Sequence, residues 1–292
     1  MSNKLDIYTT KRRGRFINML FTSVCFLATI TCVLMLVVLI WNIVVQGKGW
    51  LSWGFIDHLP SRFPHKAGIK SALWGSIWLI SLTAMFSVPL GVGAAVYLEE
   101  YAPRSRWRKL IQLNIANLAG VPSIVYGILG LGLFVRALEL ERSVLSGALT
   151  LTLVVLPIII LASQEALRAV PDSIRRSAYA LGATRWQTVW YQVLPASLPG
   201  IMTGVILSLS RALGEAAPLI AVGAMAYVPF VPEKLSDEFT ALPIQIFNWT
   251  SRPQEDFHHL AAAGILVLLV VLVSMNAIAI FVRHKYGKKI RW

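Results

Sequence analysis

Six apolar stretches decide what this chain can become: residues 16–46, 71–98, 110–137, 143–164, 198–226 and 259–283. A hydrocarbon core ~30 Å thick is crossed by about 20 helical residues, and each stretch is long enough. In lipid every backbone polar group must be satisfied internally. The expectation is therefore an all-α integral membrane protein with six transmembrane helices. Composition agrees, because 14% of the 292 residues are charged and 56% are hydrophobic, where a soluble domain carries about 25% charge. Gly120, Pro122, Gly127, Gly130 and Gly132 interrupt the third stretch. Such breaks are tolerated where neighbouring helices or a cavity satisfy the backbone. The first stretch is too long for a secretory leader and has no small-residue exit, so it is expected to stay attached.

The net charge of +13 raises nucleic acid as a partner, but its placement excludes that. The basic residues gather at Lys11–Arg15, at Arg104–Lys109, in the central loop (Arg168, Arg175, Arg176, Arg185) and at the tail (Arg283–Arg291). Threading six helices puts all four groups on one side, which the positive-inside rule makes cytoplasmic. The acidic loop 227–258 falls outside. Loop 47–70, with Lys48, Arg62, Lys66 and Lys70, is the exception on the outer face, flanked by Trp50, Trp53, Trp74 and Trp78 as an interfacial belt. The expected division is a cytoplasmic segment 1–15, a membrane domain 16–283 and a cytoplasmic basic tail 284–292. Cys25 and Cys32, seven apart within the first stretch, read as small packing residues rather than a metal site or disulfide. No phosphate loop, H-E-x-x-H or G-x-S-x-G occurs, so the chain is read as no enzyme, with no cofactor or metal. Asn248-Trp249-Thr250 is taken as a chance glycosylation match.

Between the fourth and fifth stretches lies a charged insert punctuated by Gly and Pro. Pro171-Asp172-Ser173 starts a short helix, with Asp172 or Ser173 able to cap it, and Gly182 stops it after Leu181. A second short helix is expected from about Thr184 to Leu194-Pro195. This knob either docks a partner or rests on lipid headgroups as an interfacial loop. In the next span Arg211 and Glu215 are four apart, so they share a helix face, near the middle of 198–226. A lone arginine at the bilayer centre costs ~2.5–3.5 kcal/mol on insertion scales, and pairing or a wet cavity reduces that cost. The pair either fixes helix register or forms part of an anion path, the planar guanidinium suiting phosphate oxygens. Gly200, Gly204, Gly214, Ser208 and Ser210 supply small residues for close helix contact. Pro89, Gly91, Gly93 and Pro122 mark either breaks near a pathway or plain kinks.

Several strings resemble a known family. Ala178-Tyr-Ala-Leu-Gly182-Ala followed by Val193-Leu-Pro195 is similar to the EAA loop of bacterial ABC importer permeases. Residues 89–102, 120–135, 210–224 and 239–257 resemble the A-type permeases of phosphate-specific (Pst) importers. The resemblance implies a type I importer permease that moves inorganic phosphate across the bacterial inner membrane by alternating access. Implied partners are a second related permease, a cytoplasmic ATPase dimer that hydrolyses ATP, and an external phosphate-binding protein. Ala178, Leu181, Gly182, Ala183, Leu194 and Pro195, within a loop spanning 165–196, would couple to the ATPase, and Arg211 and Glu215 would line the path. Two departures stand out: Arg176 and Ser177 replace the motif's leading Glu-Ala, and Ala216 replaces a usual threonine. The alternatives are a permease for another oxyanion, molybdate or sulfate, and a non-transport membrane scaffold.

Overall fold

The computed structural model describes the backbone of residues 2–224 and 227–287 and the side chains of 18–224 and 227–285. The basic side chains of the N-terminal segment, and the tail from Lys288 onward, lie outside the described residues. α1 (Ser2–Gly47) leads into a short segment holding α2 (Trp53–Asp57), where the Ser52 hydroxyl accepts from the N–H of Phe55. α3 (Lys70–Val96) runs back and ends in a π-turn, Tyr97–Tyr101. α4 (Arg106–Ala119) and α5 (Ser123–Gly130) follow, the latter continuing through a π-turn to Ala137. α6 (Val144–Arg168) precedes α7 (Asp172–Ala180) and α8 (Arg185–Thr188). The chain then forms α9 (Leu194–Leu213), α10 (Ala217–Val222), α11 (Leu242–Thr250) and α12 (Glu255–Gly287). The only extended pairing among the described residues is an isolated bridge, Ser143–Glu238.

Among the described residues, five helical segments are long and apolar enough to span, and α4 with α5 supplies a sixth only as a bent pair. That third stretch is not a straight helix: it turns through 100°. The reason is local, since Pro122 has no N–H to offer the carbonyl of Leu118, which instead accepts from the Tyr126 hydroxyl at 2.7 Å. Pro89, by contrast, leaves α3 unbroken. The fifth stretch also differs from expectation. Its helix starts at Arg185 and ends at Leu213, instead of covering 198–226.

α6 is the axis of the packing. Two-thirds of its most apolar part is buried, and it touches α3, α4, α5, α9 and α10. Small and hydroxyl residues permit this closeness: Ser146, Gly147, Ala148, Thr150 and Thr152 are buried, and Thr83 of α3 donates to the carbonyl of Ala148 at 3.3 Å. Gly200 and Gly204 of α9 face Ala166 and Ala162 of α6, where a Cβ would collide. At the α11 end, Phe55, Ile69, Ala72, Leu242, Trp249, Phe257 and Leu260 tie the 47–70 segment to α3, α11 and α12. Trp249, the middle of the sequon, is fully buried there.

The start of α6 is satisfied by another segment. Val144 N–H donates to the carbonyl of Asp237 and Leu145 N–H to that of Leu235, each at 3.0 Å, which removes two of the free donors that open any helix. The Asp237 carboxylate in turn accepts from the N–H groups of Lys234 and Glu233, both at 2.9 Å. Those two bonds, that of Lys234 first, hold its carboxyl below the usual carboxylate range. α1 stands apart: its span is unburied, and Cys25 and Cys32 are exposed instead of packed against other helices.

Candidate functional site

Two places concentrate polar chemistry. The first is the junction of α9 and α10. Arg211 lies in the last turn of α9, Gly214 caps the helix, and Glu215 sits in the break that follows. The Arg211 Nε donates to Glu215 Oε1 at 3.2 Å. So the pair expected from the spacing forms, although Glu215 is no longer helical. The break has a plain cause: Pro218 cannot donate to the carbonyl of Gly214, so the ladder stops. A cation at a helix C-terminus is also favoured by the helix dipole. Arg211 is not buried at mid-span. Its side chain is 57% exposed against 17% for Glu215, and its two terminal nitrogens have no hydrogen-bond partner among the described residues. Beside it, the hydroxyl of Ser210 donates to Asn276 Oδ1 of α12 at 2.5 Å, fixing the last turn of α9 against the final helix.

The second place is the knob at the α7 end. α7 closes in a left-handed cap: Gly182 has φ +83°, its N–H donates to the carbonyl of Tyr179, and the N–H of Ala183 donates to that of Ala178, each at 3.0 Å. This is the paired 6→1 and 5→2 pattern that glycine at C′ allows. Thr184 then opens α8 with a capping box, its hydroxyl accepting from Gln187 N–H while Gln187 Oε1 accepts from Thr184 N–H. Leu181 at the tip is 88% exposed. Two expectations fail here. Pro171, not Asp172 or Ser173, holds the N-cap position of α7. Leu194-Pro195 does not end a helix either, because α8 passes through a π-turn at Val189–Val193 directly into α9. Pro195 lacks the N–H owed to Tyr191, and the wider turn, in which Leu194 N–H reaches back to Val189, absorbs that gap.

A partly buried ionic clamp beneath the knob escaped sequence reasoning. Glu99 accepts from Arg108 at 3.0 Å, Arg168 at 2.6 Å and Gln112 at 3.2 Å. Glu100 accepts from Arg175 at 2.7 and 3.2 Å, and Arg175 also donates to the carbonyls of Leu167 and Val170. The end of α3 is thereby pinned to α4, α6 and α7. Arg176, which stands where the EAA motif has glutamate, is exposed and makes no ion pair among the described residues. The loop is anchored instead through the neighbouring Arg175, as the cation of the pair with Glu100.

A profile of the family described as "binding-protein-dependent transport system inner membrane component" matches residues 87–288, about 69% of the chain. The chain belongs to this family. It is a multi-pass permease of the ABC importer type, a transport subunit. It is 32% identical over 278 residues to phosphate transport system permease protein PstA 1 of Mycobacterium tuberculosis, covering 93% of this chain and 89% of that one. It is 31% identical to the probable ABC transporter permease protein YqgI of Bacillus subtilis, over 85% of this chain and 88% of that one. Among solved structures, a chain of a bacterial alginate ABC transporter, in complex with its alginate-bound periplasmic protein, superposes with a TM-score of 0.64. That match covers 92% of this permease and 93% of that chain at 14% identity, so it speaks for the fold alone.

Proposed function

We propose that this permease is one membrane subunit of an ATP-driven importer of inorganic phosphate, and that Arg211 with Glu215 lies on the anion's path. The observation that carries the mechanism is the exposed Arg211 guanidinium with one nitrogen held by Glu215. A planar donor fork binds phosphate oxygens well. The adjacent carboxylate can accept from the protonated oxygen of hydrogen phosphate, which sulfate lacks. The substrate itself is supported by the name of the M. tuberculosis relative.

The rest of the machine follows from the family reading. The chain sits in a bacterial inner membrane with segment 1–15 and tail 284–292 in the cytoplasm. It pairs with a second permease, takes phosphate from an external binding protein, and rests on a cytoplasmic ATPase dimer. Loop 165–196 is the coupling element: Leu181 is the contact, Ala178, Gly182 and Ala183 set its angle, and Leu194 and Pro195 join it to α9. ATPase closure moves the knob, the clamp at Glu99 and Glu100 carries the movement to α3, and the path alternates between the two sides.

Labelled-phosphate uptake tests this in cells lacking the chain and restored with the native protein or Arg211→Ala. A charge-assisted hydrogen bond contributes about 1.5–3 kcal/mol, so uptake should fall by roughly 10- to 100-fold. Excess sulfate or molybdate should leave native uptake unchanged. Normal uptake by a stably assembled Arg211→Ala permease would remove Arg211 from the path. Competition by sulfate or molybdate would reassign the substrate.

A further inference from the structure

The cleft between the knob and the corner of α3 and α4 holds more positive charge than its ion pairs use. It has a volume of about 440 Å³ and is lined by five arginines against three carboxylates, and Glu165, the outer partner of Arg168, still leaves one positive charge in excess. Arg175 is committed to Glu100, Asp172 and two carbonyls, and Arg168 to Glu99 and Glu165. Arg108 gives one terminal nitrogen to Glu99, while its Nε is buried without a partner among the described residues. Arg104 and Arg185 have no carboxylate partner among the described residues, and Arg185 lies over the ring of Tyr101, 5.6 Å from its centroid. Pairing therefore neutralises the floor of the cleft and leaves its rim cationic.

We infer that this cleft binds a phosphate-type oxyanion, held chiefly by Arg104 and Arg185. Two guanidiniums lining one cleft, one from the segment entering α4 and one from the start of α8, suit a tetrahedral anion, because each presents a fork of donors to two oxygens. The anion would join the segment entering α4 to the first residue of α8, and so fasten the knob to the corner it rests on. It can be a free phosphate or a phospholipid headgroup. The nearby Tyr97, Trp186 and Trp190 are exposed aromatics of the kind found at headgroup level, so both sources are within reach. This site lies at the end of the molecule away from α11 and uses neither Arg211 nor Glu215.

Arginine modification by phenylglyoxal, read residue by residue by peptide mass spectrometry, tests it. The full chain with its co-purifying subunits would be stripped of lipid in maltoside micelles and phosphate-free buffer. Arg62, exposed at the other end, serves as the internal control. Adding inorganic phosphate or phosphatidylglycerol at about ten times its Kd should slow modification of Arg104 and Arg185 roughly tenfold, with Arg62 unaffected. Protection by inorganic phosphate identifies a free-anion site, and protection by phosphatidylglycerol alone identifies a headgroup site. Equal rates with and without both additions overturn the inference. The same protection in Arg211→Ala keeps this outcome separate from that of the transport path.

Discussion

Gly182 shows how a single residue governs the knob. Its φ of +83° is left-handed, and a Cβ there would meet nothing within 4 Å. A substitution would therefore be felt through backbone conformation alone, at ~1–2 kcal/mol for an L-residue. Gly182→Ala is expected to insert normally yet lower phosphate uptake, while Gly182→Asn, which tolerates this conformation better, recovers part of it. Uptake equal to the native rate in the alanine variant would count heavily against the coupling role. Gly182 and Thr184 were legible in the sequence because caps are local, set by residues three or four apart. The Arg211–Glu215 pair was legible for the same reason. Its depth was not, because Pro218, three residues beyond Glu215, withholds a hydrogen bond and ends the helix early.

At the level of elements, what pattern could not supply was the partnership of α3 with the loop. Glu100 and Arg175 are 75 positions apart, and nothing in the periodicity of either segment joins them. The hint was only two adjacent glutamates closing an apolar run beside a basic loop. The pair is well shielded, with side chains 8% and 16% exposed. Removing one partner from such a pair typically costs about 3–5 kcal/mol. Glu100→Ala is thus expected to lower the thermal inactivation midpoint in detergent and reduce transport-coupled ATP hydrolysis, with Glu100→Ala/Arg175→Ala less damaged than the two single losses added together. Strict additivity would mean that the two side chains do not act as a unit. The helices themselves were legible from length and hydropathy except where proline intervened. Pro122 turned one expected span into two arms, whereas Pro195 was absorbed by a π-turn and terminated nothing.

For the molecule as a whole, the sidedness of charge makes a test that needs no transport assay. With Cys25 and Cys32 replaced by serine, a cysteine at Ser236 should react with a membrane-impermeant thiol reagent in intact cells. One at Arg176 should react only after permeabilisation. Labelling in the opposite order would invert the topology and with it the place of the knob. Five of the six expected crossings were readable from composition and run length, the third stretch being the bent pair, but which helix forms the centre was not. α6 wins that position through a row of small and hydroxyl side chains that reads as unremarkable polarity in a linear pattern. α1 occupies the other extreme, with α12 its chief neighbour and with Gly47 set against the backbone of Ala262 and Ala263. The earliest of the described helices thus has its main attachment in the latest of them, so α1 gains its neighbour only after α12 has been made. A product truncated before α12 would leave α1 without the helix it rests on, a membrane segment with lipid on every side.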